Sequence, residues 1–278
     1  MHSAVEDLIK LQKMALAKEE HKTTQTHGQA AHLTDPMQAL TARLPQEIRF
    51  LYRKMTERGK SVISPIVDGV CSACGMKLPV SLIQAVRAER TLCQCESCAR
   101  VLYYPDKPPR RVREGARRGE PRQIGIARFS GPALMIPALS ASTKQDAIRE
   151  LAEKMSEAGL VEDGAHLGEE GLERETLAST AVESGLAFPH VRHVEGGGVA
   201  FSLGLSRKGI RFGAPARRLT RIVFFSVIPT AANTVYLRLL SGLTRAFAQA
   251  PAREKLLEAT TAAKMWSVLV KATKTTVR

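Results

Sequence analysis

Residues 184–192 read Ser-Gly-Leu-Ala-Phe-Pro-His-Val-Arg, and this stretch decides how the C-terminal half of the chain is interpreted. Pro189 fixes its own φ and carries no N–H, while Gly185 permits a turn that a bulkier residue would resist. We therefore expect a stiff backbone that holds the imidazole of His190 in one place. Neutral imidazole is a competent nucleophile near pH 7, because its ordinary pKa is about 6.5. A purely structural loop histidine is the alternative, and the surrounding sequence decides between the two.

From about residue 128 to the C-terminus, the pattern of apolar residues predicts alternating helices and strands. Ser142-Thr143 is typical of a helix cap, and Gly159 is typical of a helix end. Strands are predicted at 199–205 and 220–228, separated by Arg207-Lys208-Gly209. Further helices are predicted near 166–177 and over 233–249, 251–259 and 262–273. Such an alternation predicts one α/β domain in which helices cover a mixed sheet.

Several landmarks occur in this half in a fixed order: Leu172-Glu173-Arg174-Glu175, Ser179-Thr180, Gly185–His190, Gly209-Ile210-Arg211-Phe212 and Ile222–Pro229. This series resembles the type-2 enzyme IIA domain of the bacterial phosphotransferase system, including its mannitol/fructose and nitrogen-regulatory branches, over roughly residues 128–275. The resemblance implies that His190 is the phosphoryl acceptor. It also implies that Arg174 clamps the phosphate, since a guanidinium meets phosphate oxygens with two N–H groups. A helix-surface ion pair of Arg174 with Glu170 or Glu175 is the alternative.

The sequence departs from this family at Tyr236. The family usually carries a second histidine there, in a His-Leu-x-x-Leu context, whereas this chain reads Tyr236-Leu237-Arg238-Leu239-Leu240. A tyrosine hydroxyl donates a hydrogen bond to phosphate but, with a pKa near 10, supplies no positive charge. Slower transfer, a differently stable phosphorylated state or lost phosphorylation would each follow from this replacement. Arg238 and His193 are the candidates for a compensating charge.

Two cysteine pairs lie upstream, Cys71-Ser72-Ala73-Cys74 and Cys95-Glu96-Ser97-Cys98. Their spacing, C-x2-C-x20-C-x2-C, can place four thiolates tetrahedrally around one Zn²⁺ ion. Four protein ligands leave no open coordination position, so the spacing predicts a structural zinc. Redox dithiols and free cysteines are the alternatives. Cys93 is a fifth thiol that could compete, but its spacing makes Cys95 and Cys98 the better pair.

The segments around these cysteines resemble the bacterial C4-type zinc-ribbon family over about residues 40–105: Asp68–Cys71, Met76–Pro79 and Cys98–Tyr104. In that family a helical hairpin or coiled coil precedes the ribbon, and here this helical part is short. Ala99 stands where glycine is usual. The resemblance implies binding of nucleic acid, but the ribbon carries only scattered basic residues, and a protein partner is an equal alternative.

We therefore expect four segments: a short helical hairpin or coiled coil over 1–60, a C4-type zinc ribbon over 61–105, a basic linker over 106–127, and an enzyme IIA-like domain over 128–278. The net charge is +14, with a local concentration of arginines between Lys107 and Arg122. Such a linker either contacts nucleic-acid phosphates or keeps two domains apart in solution. No aromatic residue interleaves these arginines, so the linker offers bases no stacking platform.

These features favour a cytoplasmic protein without membrane insertion, because apolar runs are short, no secretory signal is evident, and four of the five cysteines form C-x2-C pairs. The function we expect is that of a soluble regulatory phosphoreceiver. It would accept a phosphoryl group on His190 from a histidine phosphocarrier of the phosphotransferase system (HPr-like) and signal through the zinc-ribbon half to an unidentified regulated protein. The alternative is a scaffold protein that binds nucleic acid or transcription machinery and whose enzyme IIA-like domain is silent in phosphotransfer.

Overall fold

A computed structural model describes residues 3–24, 31–105, 110–111, 123–195, 197–213, 218–229 and 232–277, with only the backbone described at 110–111 and 193–195. The chain divides into two compact units. The first unit is Met1–Glu19 with Ala30–Pro109, and the second is Glu20–Gln29 with Arg110–Arg278. Most of the basic linker predicted at 106–127 lies outside the described residues. None of the helices in the described ranges combines the length and hydropathy needed to cross a bilayer.

In its described residues the first unit begins with the helices α1 (Ser3–Thr23), α2 (Thr34–Arg43) and α3 (Gln46–Thr56). Apolar residues spaced along α1, such as Leu8 and Leu11, share a buried cluster with Ile48 of α3. These helices lie within residues 1–60, where the sequence predicted a short helical hairpin or coiled coil. The last turn of α1, from Glu20 onward, belongs to the second unit.

A small three-stranded sheet follows, in the order β2-β1-β3. Its strands are β1 (Ile63–Val67), β2 (Val70–Cys71) and β3 (Val101–Tyr103), and α4 (Val80–Ala88) lies between β2 and β3 in the chain. β1 pairs antiparallel with β2 and parallel with β3. A separate apolar cluster stabilises this sheet, and it includes Ile66, Leu102 and the buried cysteines Cys71 and Cys95.

The second unit contains a mixed sheet, as the sequence predicted, and the described residues form seven strands of it. They are β4 (Arg110–Arg111), β5 (Met135–Ile136), β6 (Ala181–Val182), β7 (Leu186–Ala187), β8 (His190–Glu195), β9 (Ala200–Ile210) and β10 (Thr220–Pro229). β10 lies in the middle: it pairs antiparallel with β9 on one side and parallel with both β7 and β8 on the other. β5 extends the sheet beyond β9, β6 beyond β7 and β4 beyond β8.

One predicted boundary in this sheet is wrong. The sequence predicted that the strand ends at Leu205, before Arg207 and Lys208, but β9 continues to Ile210. The two cationic side chains are exposed in a strand whose other positions are mostly buried. A shift of register opposite Thr220, with Gly209 at a φ of +80°, lets the ladder continue to Ile210.

Among the residues that the structure describes, five helices and two short 3₁₀ turns surround this sheet. They are 3₁₀ turns at Gly125–Arg128 and Pro132–Leu134, and helices α5 (Lys144–Glu157), α6 (Gly164–Leu177), α7 (Asn233–Ala246), α8 (Ala250–Leu257) and α9 (Ala262–Thr273). The Thr143 side chain caps α5 by accepting a hydrogen bond from the Asp146 N–H. α6 packs closely on the sheet, because a Cβ at Gly171 would lie only 2.8 Å from the Phe225 ring. This close approach positions Arg174, on the next turn of α6.

Candidate functional site

His190 lies where a strand is interrupted. β7 and β8 both run parallel to β10, and Phe188-Pro189 separates them. Pro189 has no N–H to donate, while its carbonyl accepts a hydrogen bond from Ser226 N at 3.0 Å. The Phe188 ring is buried and stacks on Phe224, with their centroids 5.3 Å apart. The backbone on both sides of the imidazole is therefore held, as expected for Pro-His in this stretch.

The imidazole of His190 is fully buried. Its Nδ1 lies 3.1 Å from the Phe188 carbonyl oxygen, which can only accept, so the neutral ring carries its proton on Nδ1 and its lone pair on Nε2. The Nε–H of Arg174 donates to this Nε2 at 3.2 Å. Burial lowers the pKa of His190 and the two nearby arginines lower it further, against the opposing effect of Glu20. The ring is therefore neutral near pH 7, and with the proton on Nδ1 its lone pair lies on Nε2.

Two buried arginines lie beside Nε2. Arg174 comes from α6, and its Nη1 donates to the Ala178 carbonyl at 3.1 Å. Arg192 comes from β8, and its Nη1 donates to Asn233 Oδ1 at 2.8 Å. Their side chains are only 11% and 12% exposed. Arg174 thus does not form the exposed ion pair on the surface of its helix that was the alternative interpretation.

A carboxylate joins the two arginines. Glu20 Oε2 accepts a hydrogen bond from Arg174 Nη2 at 2.6 Å, and Glu20 Oε1 accepts one from Arg192 Nη2. Oε1 also lies 3.1 Å from His190 Nε2. Burial alone raises the pKa of Glu20, but the guanidiniums of Arg192 and Arg174 oppose this effect and hold the pKa well below its usual range. Glu20 is therefore an ionised, buried carboxylate that the two arginines hold against Nε2. With the ring proton on Nδ1, this contact joins two acceptors and is not a hydrogen bond.

Sequence reasoning did not identify Arg192 or Glu20. Arg192 follows His190 by two residues on β8, and side chains at that spacing share one face of a strand. This alternation could have found Arg192. Glu20 lies 170 positions away in a helix without a motif, and no local pattern points to it.

Tyr236, on α7, is 2% exposed and its hydroxyl lies 3.2 Å from His190 Nδ1. Burial raises the pKa of this hydroxyl, so it remains protonated and neutral. The Arg192 guanidinium lies 5.4 Å from the centroid of the Tyr236 ring and is the second cation of the site. Arg238, a candidate for that charge, is exposed on α7, and the side chain of His193 lies outside the described residues.

Glu175 plays a different part from its neighbour Arg174. Its carboxylate is buried and accepts hydrogen bonds from the Thr180 N–H at 3.0 Å and from the Thr180 hydroxyl at 2.7 Å. Burial raises its pKa, while the Thr180 hydrogen bonds act in the opposite direction. These bonds hold the loop after α6, whose Ala178 carbonyl contacts Arg174. Glu175 thus helps to hold the loop that fixes the Arg174 side chain.

The four predicted cysteine ligands come together in the first unit. The Sγ atoms of Cys71, Cys74, Cys95 and Cys98 all lie within 4.8 Å of one another, and two of these separations are 3.8 Å and 3.7 Å. A tetrahedron with Zn–S bonds of about 2.3 Å has edges of about 3.8 Å, so the cluster fits a Zn²⁺ ion. Cys93 points elsewhere, with its Sγ 3.7 Å from the Thr91 carbonyl oxygen. The cluster is thus a C4 site able to bind a metal.

The two cysteine knuckles share one backbone shape. The Gly75 N–H donates to the Cys71 carbonyl at 2.8 Å, and the Ala99 N–H donates to the Cys95 carbonyl at 2.7 Å. This turn requires the left-handed region, with φ at +76° for Gly75 and +58° for Ala99. Glycine adopts that conformation without the steric cost that a Cβ brings. This geometry explains why glycine is usual where Ala99 stands.

Comparison with known proteins divides the chain in the same way. The family model of the phosphoenolpyruvate-dependent sugar phosphotransferase system, EIIA 2, matches residues 132–272, and that of a C4-type zinc ribbon domain matches residues 70–102. A fructose-specific EIIA component from Haloferax volcanii is 33% identical over 118 residues, which cover 42% of this chain and 77% of that protein. A fructose-specific EIIABC component from Bacillus subtilis is 27% identical over 121 residues, which cover 44% of this chain but 19% of that longer protein.

Among solved structures, the nitrogen regulatory protein IIA-Ntr from Neisseria meningitidis is similar to this chain, with a TM-score of 0.46 and 25% sequence identity. The similarity covers 51% of this chain and 96% of that one.

Proposed function

This chain belongs to the EIIA 2 family of the phosphoenolpyruvate-dependent sugar phosphotransferase system, and on that premise we propose that His190 accepts a phosphoryl group from an HPr-like histidine phosphocarrier. EIIA domains pass phosphate between components of that system. One observation carries the proposal to a residue: Nε2 of the buried His190 ring accepts a hydrogen bond from Arg174, and Arg192 donates to the Glu20 oxygen that lies against the same nitrogen.

In the proposed step, the Nε2 lone pair of His190 attacks the phosphorus of the donor phosphohistidine. The Nε2–P bond forms as the donor P–N bond breaks, and the electron pair of the broken bond returns to the donor ring. When the donor is a phosphoimidazolium, His190 becomes the phosphoimidazolium and the donor becomes a neutral imidazole, so no proton has to move. The Phe188 carbonyl holds the proton on Nδ1 throughout.

The arginines supply the positive charge that this step needs. Catalysis of phosphoryl transfer is mostly positioning and electrostatic stabilisation, and a guanidinium presents two N–H groups to phosphate oxygens. Arg174 is fixed through the Ala178 carbonyl and Arg192 through Asn233. We assign Tyr236 to holding the imidazole ring, because its neutral hydroxyl contacts Nδ1 on the side away from the reacting nitrogen.

The regulatory part of the proposal concerns the zinc-ribbon half. Phosphorylation brings anionic phosphoryl oxygens to the site, which changes what that surface can bind. The chain joins an EIIA domain to a C4-type zinc ribbon. We assign the ribbon the task of passing the phosphorylation state to a regulated protein, with one structural Zn²⁺ ion maintaining its fold.

The test is transfer of labelled phosphate from phosphoenolpyruvate through enzyme I and the phosphocarrier to the full chain. Wild type should be labelled and His190→Ala should not. His166→Ala is the matched control, because that histidine is partly exposed and pairs with Glu170 on α6. Labelling of His190→Ala would refute the proposal. The absence of label from both wild type and Tyr236→His would also refute it.

A second candidate function is favoured by the replacement of the family histidine by Tyr236 and by the net charge of +14. In this case the EIIA domain is silent, and the ribbon with the basic linker binds nucleic acid or transcription machinery. Binding to unrelated oligonucleotides would then fall steeply with salt and would be lost when residues 107–122 are removed. Label that appears on Tyr236→His but not on wild type would also favour this function.

A further inference from the structure

The carboxylate of Glu20 takes up the positions that a phosphoryl group on His190 would need. Its Oε1 lies 3.1 Å from Nε2, the atom that forms the bond to phosphorus. Each of its oxygens accepts a hydrogen bond from one of the arginines that would hold phosphoryl oxygens. The side chain is 6% exposed. An incoming phosphoryl group therefore meets an occupied site in this state of the molecule.

The two anionic groups would compete for the same donors. The guanidiniums of Arg174 and Arg192 contribute two positive charges, and the ionised Glu20 contributes one negative charge. The phosphoryl group on Nε2 would bring further anionic oxygens, while the phosphoimidazolium ring carries one positive charge. An N–H group that donates to Glu20 is then not available to a phosphoryl oxygen. Anionic oxygens in contact also repel each other, so one of the two groups must leave.

We propose that Glu20 is an intramolecular competitor of the phosphoryl group, and that its carboxylate caps unphosphorylated His190 and is expelled when His190 is phosphorylated. The inference rests on the proposed function, because it assigns a regulation to the same site. Once Glu20 has left, the two arginines and Nε2 form a site for a tetrahedral oxyanion. An interaction that keeps Glu20 in the site disfavours phosphorylation of His190. By thermodynamic reciprocity, phosphorylation of His190 weakens that interaction.

The position of Glu20 in the chain places this competition in the last turn of a long helix, α1. Glu20 is the first residue of the second unit and continues the helix that begins at Ser3. Leu8 and Leu11 of that helix belong to the apolar cluster of the first unit. Withdrawal of Glu20 therefore requires either another rotamer of its side chain or a displacement of the last turn of α1.

The first experiment compares rates of labelling from the phosphocarrier. Glu20→Ala and Glu20→Gln should be labelled about tenfold faster than wild type. This gain is expected when Glu20 leaves the site free about a tenth of the time in wild type. Glu19→Ala is the matched control, because Glu19 is exposed on the same turn of α1. Equal rates in all four proteins would overturn the inference while leaving the proposed function intact.

A second measurement does not depend on transfer. Binding of inorganic phosphate, followed by ³¹P NMR or calorimetry, should be about tenfold tighter in Glu20→Ala than in wild type. It should be lost again in Glu20→Ala combined with Arg174→Ala. If no variant is labelled, the proposed function fails, and the phosphate titration still decides whether Glu20 competes for the anion site. Equal phosphate affinity in wild type, Glu20→Ala and Glu20→Gln would overturn the inference.

Discussion

The cysteine cluster draws all four ligands from the single stretch Cys71–Cys98, whereas the His190 site draws its side chains from α1, α6, β8 and α7. Two knuckles of one local shape build the cluster, and the spacing of the cysteines is enough to meet the geometry of a zinc–thiolate site. In the His190 site, buried charges must balance across elements distant in sequence. The difference teaches that a metal site can be encoded in a short motif, while a group-transfer site depends on the packing of the whole domain.

Removal of the metal should have the largest effect and should separate the two sites. Cys95→Ser, or addition of a chelator, should unfold the ribbon, since structural zinc contributes about 10–16 kcal/mol of apparent binding free energy in small zinc domains. The second unit has a hydrophobic core of its own, so labelling of His190 should persist. Hydrogen exchange reports the fold of the ribbon. Cys93→Ser is the control, and an equal loss of protection in that variant would contradict the C4 assignment.

Substitution of the arginines should affect only the His190 site. Arg174→Lys and Arg192→Lys keep one charge but lose the planar pair of donors, and each should slow phosphoryl transfer about 10²–10³-fold, as removal of a single preorganised donor does in other enzymes. Arg149→Lys is the matched control, because Arg149 is about half exposed and pairs with Glu169. Rates of transfer from the phosphocarrier check this prediction. Wild-type rates in both lysine variants would contradict the assignment of Arg174 and Arg192 to binding the phosphoryl oxygens.

Acid should weaken the second unit through two groups. The pKa of His190 is lowered by burial and that of Glu20 is lowered by its cationic neighbours, so the unfolded chain binds more protons than the folded one at acid pH. The free energy of unfolding should therefore fall below about pH 6.5, where His190 is protonated in the unfolded chain but not in the folded one. It should fall again below about pH 4.5, where the same holds for the Glu20 carboxylate. Urea unfolding across this range measures it. Glu20→Ala should lose the second decline, and a decline unchanged in that variant would contradict the assignment.

The smallest expected effect lies in the knuckles. Ala99→Gly should stabilise the ribbon by about 0.5–1 kcal/mol, because it removes a Cβ from the left-handed region, and Gly75→Ala should destabilise it by a similar amount. Thermal unfolding of the zinc-loaded chain measures both. The prediction fails if the two substitutions shift stability in the same direction.

The same contrast explains what could be predicted from sequence. The helices and strands of the second unit follow from periodicity, caps and landmarks, and the α/β class with a mixed sheet is confirmed. The end of β9 was missed, because charged residues at Arg207 and Lys208 resemble a turn while a register shift lets the strand continue. The cysteine ligands followed from spacing, and their clustering agrees.

The His190 site was only partly accessible to sequence reasoning. His190, Arg174 and Tyr236 were named through a family pattern, and the structure places all three in contact. Glu20 was missed, because its partners meet it only through tertiary packing and no spacing rule relates residue 20 to residue 190. Arg192 was missed for a smaller reason, since strand alternation after His190 would have placed it on the same face.

The most direct test of the central claim is the identity of the phosphorylated ring nitrogen. The chain, labelled with ¹⁵N at histidine, would be phosphorylated from phosphoenolpyruvate through enzyme I and the phosphocarrier, and the bonded nitrogen would be read by ³¹P–¹⁵N NMR. Because the Phe188 carbonyl holds the proton on Nδ1, the phosphorus should be bonded to Nε2 of His190 and to no other histidine. A phosphoryl group on Nδ1, or on another histidine, would contradict the account.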